Sequence, residues 1–267
     1  MENKLLSLPL KELESAGLTL VVLEEALHRF RPIDHSKIHE SVNVATFLHR
    51  KQTRAVRKNL PRTPYIEHPL RNALRLMRWG ATSPSLIIAA VLHDTVEDCL
   101  KEILTQYVGM ENIYEDEALN RAIALEWIEE VFGRETSFIV SKMTNPLEVA
   151  DEALTIEQKH ERYAIHVKEA ILISVLVYLC KVADFVDNAT GLYHNAVLDE
   201  NNKMTSTKPV DVRNNKMAKR LATKYRPVCE IFISNMPDEL PISDEGREDI
   251  MQKLLITRTR LDMLITA

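Results

Sequence analysis

Four side chains able to do chemistry fall within six residues: His93, Asp94, Glu97 and Asp98. They close residues 89–98, a run that begins as apolar Ala-Ala-Val-Leu. On a helix, positions three and four apart share a face, so Asp94 faces Glu97 and Asp98 while His93 stacks over Glu97. Three carboxylates this close repel unless a cation sits among them or a proton is shared, and a histidine beside them suits a divalent metal. The competing reading is the solvated end of a buried helix. Acids are unfavourable there, because a helix C-terminus already carries partial negative charge.

A second group lies in Lys181-Val-Ala-Asp184-Phe-Val-Asp187-Asn188, where Asp184 and Asn188 are one turn apart at the end of an apolar stretch. A carboxylate there is costly unless paired or metal-bound. With His68, His93 and Asp94 it makes a two-histidine, two-aspartate set without thiolate, suited to manganese, iron or zinc with positions left open for water and a phosphate oxygen. Each residue alone has a simpler use: His68 could cap its helix and Asp184 could pair with Lys181. Arg54, Arg57, Lys58 and Arg62 concentrate positive charge beside the His68 loop. They are either an anion-binding patch or a solvated helix end.

The elements that position these residues read as helices. The 267-residue chain has only six glycines, too few for many tight strand turns, and its 45% hydrophobic content can bury one large core. A net charge of −5 argues against general nucleic-acid binding. The most apolar run, residues 170–180, is too short to span a bilayer. Cys99, Cys180 and Cys229 lack metal or redox spacing, and the start of the chain lacks a signal-peptide layout, so a reduced, cytoplasmic protein with no membrane partner is expected. Helices are predicted over residues 10–30, 39–57, 69–79, 84–98 (Ser83 as cap, Pro84 first), 138–143, 156–192 with a break near Lys168, 213–235 and 245–265. Residues 99–130 read as helical and acidic, 59–65 as a proline-bound loop and 198–215 as a mobile polar loop.

Taken together, Thr63-Pro-Tyr-Ile-Glu-His-Pro69, His93-Asp-Thr-Val-Glu-Asp98, Lys159-His-Glu-Arg162 and Lys181-Val-Ala-Asp-Phe-Val-Asp-Asn188 resemble the HD-superfamily phosphohydrolases, in particular their RelA/SpoT-type alarmone hydrolases. The resemblance covers much of residues 45–193. It implies an all-α HD-domain helical bundle over residues 39–235, with helical extensions at 1–38 and 236–267. It implies that His68, His93, Asp94 and Asp184 bind manganese or another divalent ion, and that Glu97 and Asp98 handle the water and its protons. Arg57, Lys58 and Lys159 match positions near substrate phosphates, Asn188 one beside the nucleotide, and Tyr225 a substrate-contacting tyrosine.

The expected activity is a hydrolase that removes the 3′-pyrophosphate of guanosine tetra- or pentaphosphate. Two other readings stand beside it: the same chemistry on another nucleotide, and a catalytically weak alarmone-binding protein, against which the Glu97–Asp98 pair argues. Two departures from the family matter. Roughly twenty extra residues, about 100–121, precede Phe132-Gly133, and Leu221 stands where the family has a basic residue, with Lys219 and Arg220 beside it. Nothing resembles the alarmone synthetase domain.

Overall fold

The computed structural model describes residues 15–29, 35–54, 63–147, 153–206 and 209–267. The architecture is all-α, and among the described residues the only extended pairings are two isolated bridges, Thr53 with Pro64 and Leu198 with Met204. The helices are α1 (Ser15–Arg29), α2 (Ser36–Leu48), α3 (Glu67–Arg78), α4 (Pro84–Leu92), α5 (Thr95–Asp98), α6 (Leu100–Ile103), α7 (Glu117–Phe132), α8 (Arg134–Met143), α9 (Ile156–Ile173), α10 (Val175–Asn195), α11 (Pro209–Ser234) and α12 (Asp244–Thr266).

Helix α4 is the axis. Leu86 to Leu92 are all buried, the pattern of a helix covered on every side. It packs on α2, α3 and α8, while α10 lies against α3, α8, α9, α11 and α12. Ser83 caps α4 as expected, its hydroxyl accepting from the Leu86 amide at 3.2 Å. The last helix is tied to α3 where the Ser243 amide donates to the Trp79 carbonyl at 2.9 Å. That approach needs Gly80: it sits at φ +91°, and a Cβ there would lie 2.7 Å from the Ser243 nitrogen.

Several boundaries differ from the sequence-based expectation, each for a local reason. The expected helix over 84–98 turns at His93 and Asp94 and restarts as α5. Side chains take the carbonyls of the turn before: His93 Nδ1 meets Ala90 O at 2.9 Å and the Thr95 hydroxyl donates to Leu92 O at 2.6 Å. The break in the long stretch after 156 falls at Ser174, not near Lys168, because extended Ser174 caps a new helix through the Leu176 amide. The helix expected over 39–57 runs from Ser36 and ends at Leu48; residues 52–54 then pair with 63–65. His68, expected outside its helix, lies within the first turn of α3 with Pro69 behind it, where a missing amide hydrogen costs nothing. Residues 99–116 hold α6, a π-turn over Leu104–Val108 and an irregular stretch instead of a continuous helix.

Candidate metal centre and its cavity

Three elements bring the ligand candidates together. His68 comes from the start of α3, His93 and Asp94 from the α4–α5 turn, and Asp184 from the middle of α10. His68 Nε2 lies 2.9 Å from Asp184 Oδ1 and 3.6 Å from Asp94 Oδ2; His93 Nε2 lies 3.0 Å from Asp94 Oδ2 and 3.6 Å from Asp184 Oδ1. Ligands about 2.1 Å from one ion and at right angles are about 3.0 Å apart, so this spacing fits a common centre. Both imidazoles are buried.

The outer nitrogens of both rings are already committed. His68 Nδ1 sits 2.9 Å from Asp187 Oδ2, and His93 Nδ1 faces the Ala90 carbonyl. With its outer nitrogen so held, each ring turns Nε2 toward carboxylate oxygens, the orientation usual for metal-ligating histidines. His93 Nε2 is buried and makes no aligned hydrogen bond. Electron-rich atoms so placed need a cation or extra protons between them. The electrostatics agree: burial opposes charge on His93, yet Asp94 and Asp184 outweigh it and raise its pKa. Burial likewise opposes charge on Asp94 and Asp184, yet the two imidazoles hold both well below the usual carboxylate range. The donor set can hold a divalent metal ion.

Behind the cluster is a buried ionic lattice. Asp187, fully buried, accepts from Arg71 Nε at 3.0 Å and Nη2 at 3.1 Å, from Arg75 Nη2 at 2.9 Å, and faces His68. Arg71 also donates to Glu67 at 2.9 Å. Glu67, His68, Arg71, Asn72 and Arg75 thus form the polar stripe by which α3 meets α10. In front, the Tyr65 hydroxyl donates to Asp94 Oδ2 at 2.6 Å, and its ring packs 4.8 Å from that of His49.

The cluster opens into a cavity of about 250 Å³ lined by carboxylates and cations, among them Glu97, Asp98, Arg54, Lys181 and Lys224, and by the amide of Asn188. Asn145 clamps Glu97, its amide donating to Oε2 and its Nδ2 to Oε1, both at 3.0 Å. Asp98 has the freer carboxylate; burial, then Asp94 and Glu97, push its pKa up to about 6. Asn188 bridges the cluster to a cation: its Nδ2 donates to Asp184 Oδ1 and its Oδ1 accepts from Arg54, both at 2.8 Å. Burial lowers Lys181 to about 8 and also lowers Lys224, whose ammonium lies 3.8 Å from the Tyr163 ring centre.

Against curated proteins, the chain is 31% identical over 160 residues to the guanosine-3′,5′-bis(diphosphate) 3′-pyrophosphohydrolase MESH1 of Xenopus tropicalis, covering 60% of this chain and 71% of that protein. The chain belongs to the MESH1 family. The Drosophila melanogaster MESH1 is 28% identical over 162 residues, 72% of its length. A probable guanosine-3′,5′-bis(diphosphate) 3′-pyrophosphohydrolase of Mycoplasma pneumoniae is 26% identical over 187 residues, only 21% of that longer protein. No family model matches the chain.

For this MESH1-family chain, the structure brings His68, His93, Asp94, Glu97, Asp98, Asp184, Asn188 and Tyr225 to one cavity or its wall. Neither simpler use survives: His68 caps nothing, and Lys181 turns to the Met143 carbonyl and His166 rather than to Asp184. Lys159 lies apart, in an adjoining groove of about 260 Å³ with His160, Arg220, Leu221 and Lys224. Arg57, Lys58 and Arg62 lie outside the described residues. Sequence reasoning missed the Asn145 clamp, which no spacing announces. It also missed Asp187, although Arg71 and Arg75 on one face of α3 required a buried carboxylate, and Lys224, although that residue adjoins Tyr225.

Proposed function

We propose that the chain is a metal-dependent hydrolase that removes the 3′-pyrophosphate of guanosine tetra- and pentaphosphate, with manganese as the ion held by His68, His93, Asp94 and Asp184. The observation that carries this reading is the convergence of four candidate ligand atoms beside a cavity whose other charged groups are the cations Arg54, Lys181 and Lys224 and the acids Glu97 and Asp98. When bound, a divalent ion supplies Lewis acidity, lowering the pKa of water and offsetting phosphoryl charge. The protein does the rest. Asp98, its pKa pushed up to about 6, accepts the proton of the attacking water and Glu97, fixed by Asn145, orients it. Arg54 and Lys224 grip the pyrophosphate, Lys159 extends that grip in the next groove, and Asn188 and Tyr225 face the nucleotide. Arg57 and Lys58 are assigned to the same phosphates on the family's pattern.

Every described residue in these roles falls between Arg54 and Tyr225, which supports residues 39–235 as the hydrolase domain, flanked by 1–38 and 236–267 and interrupted at about 100–121. Among the described residues no helix is long and apolar enough to cross a membrane. Cys99, Cys180 and Cys229 are buried free thiols, in keeping with a cytoplasmic setting.

The test is incubation of the purified protein with manganese and a nucleotide panel, followed by product separation. Guanosine tetraphosphate should yield intact pyrophosphate and a 5′-diphosphorylated guanosine, and chelator should stop the reaction. Release of single phosphates would refute the assigned bond. Leu221, lining the Lys159 groove where the family has a base, favours one second reading, another 3′-phosphorylated nucleotide; hydrolysis of such a compound with the alarmone untouched would establish it.

A further inference from the structure

The catalytic cavity has a larger neighbour. On the far side of the turn that follows α8 lies a cavity of about 480 Å³, between α7, α8 and α9, within the size range of small-molecule sites. Its lining mixes apolar side chains, among them Ala122, Leu125 and Ile173, with Arg121, Lys142 and His166. Lys142 has no ion pair among the described residues, nor does Lys181, whose ammonium faces His166 Nε2 from behind at 3.4 Å. Burial and these two lysines hold His166 neutral, with its pKa lowered to about 3. The one acid on the lining, Glu169, is exposed. Arg121 is paired with Glu117, so Lys142 is the lining cation with no acidic partner among the described residues, and beside apolar side chains it suits the charged end of an organic anion.

The two cavities share a wall. Asn145 lines both. Its amide and side chain clamp Glu97, while its carbonyl accepts from Arg121 Nη1 at 2.6 Å, and Arg121 is braced by Glu117 at 2.8 Å. Arg121 therefore belongs at once to the outer cavity and to the support of a residue placed beside the reacting water.

We propose that the cavity between α7, α8 and α9 is a second ligand site, for a small amphipathic organic anion, and that its occupant acts on Glu97 through Arg121 and Asn145. An anion drawn to Lys142 and Arg121 competes with the Asn145 carbonyl for the guanidinium, which loosens the clamp. Such coupling is reciprocal for binding: an occupant that changes affinity for a ligand at the catalytic cavity has its own affinity changed by the same factor.

Anilinonaphthalene sulfonate, an amphipathic anion that fluoresces when shielded from water, is the probe. Titrated into the whole protein without substrate, it should show one saturable site. Ala122→Trp, at an exposed position that fills the cavity, and Lys142→Ala, which removes the free cation, should each weaken binding by about tenfold or more with unchanged thermal unfolding. Parent-like binding by both variants, or no saturable binding, would overturn the site. The coupling, which rests on the proposed hydrolase activity, is read separately: saturating probe should shift turnover of the parent and of neither variant. Probe binding with unchanged turnover of an active enzyme removes the coupling. A protein that hydrolyses nothing leaves the binding result intact, so failure of the site and failure of the activity remain distinct.

Discussion

The two sides of the catalytic cavity are built differently. The histidine–aspartate side is buried, braced from behind by Asp187, Arg71 and Arg75, and every ligand atom has a fixed neighbour. The facing side, with Arg54, Lys224 and the adjoining Lys159 groove, is half open; Arg54 is tied to Asn188, while Lys224 rests over Tyr163. One side is rigid enough to hold the proposed ion in a fixed geometry. The other is a set of long, adaptable cations suited to phosphate groups that differ in number and place.

If that contrast is real, the deepest cut comes on the rigid side. His68→Ala or Asp184→Ala should abolish metal retention and lower turnover by ~10³-fold or more, because the protein loses the group that offsets phosphoryl charge. Elemental analysis beside a rate assay checks this. Full metal content in either variant would mean that the ligands are misassigned.

Asp187→Asn tests the bracing itself. Metal affinity should fall about 10–100-fold, as it does when the partner behind a ligating histidine is lost. The change also leaves Arg71 and Arg75 without their shared carboxylate, a loss of about 3–5 kcal/mol for a broken buried pair. Denaturant unfolding of the chelated protein reads the second effect apart from the first. Normal affinity with normal stability would show that the lattice is not a support.

The same contrast governs what the sequence disclosed. The rigid side was legible because two of its pieces are local: the His93–Asp94 pair with Glu97 and Asp98, and Asp184 with Asn188 one turn on, each written within one helical repeat. The all-α architecture followed from glycine scarcity and apolar periodicity, since α4 and α10 are apolar runs long enough to be unambiguous. What stayed hidden depends on contacts between distant segments. Asn145 reaches Glu97 across 48 positions, and Arg54 reaches Asn188 across 134. The helix end at residues 93–95 was misplaced because His93 and Thr95 take backbone carbonyls there, a competition decided by packing and not by propensity.

Asp98 lies between the two sides and gives a pH signature. With its pKa near 6 it is a competent base only above that pH, so turnover should fall as pH drops through about 6. Asp98→Asn should flatten that limb while cutting turnover about 10²–10⁴-fold and leaving metal bound. Stability has the opposite sign. The folded state holds this proton more tightly than the unfolded chain, so ionising Asp98 costs the chelated protein stability as pH rises from about 4 toward 6. Thermal melts across that window should show the decline in the parent and a weaker one in Asp98→Asn.

The smallest effects are expected on the open side, and their order tells the two basic grooves apart. Lys224→Ala removes a cation that lines both cavities, so KM should rise by about tenfold with metal content unchanged, as for a charge-assisted contact to phosphate. Lys159→Ala touches only the outer groove and should cost less, with the loss confined to substrates that carry a second phosphate group far from the one attacked. Both variants should also lose part of the parent's salt sensitivity, because fewer cations remain to be screened. Equal losses for Lys224→Ala and Lys159→Ala on every substrate would mean that the two grooves act as one undivided basic surface. No loss from either would leave Arg54 as the sole described cation gripping the phosphates and return α11 to a structural role.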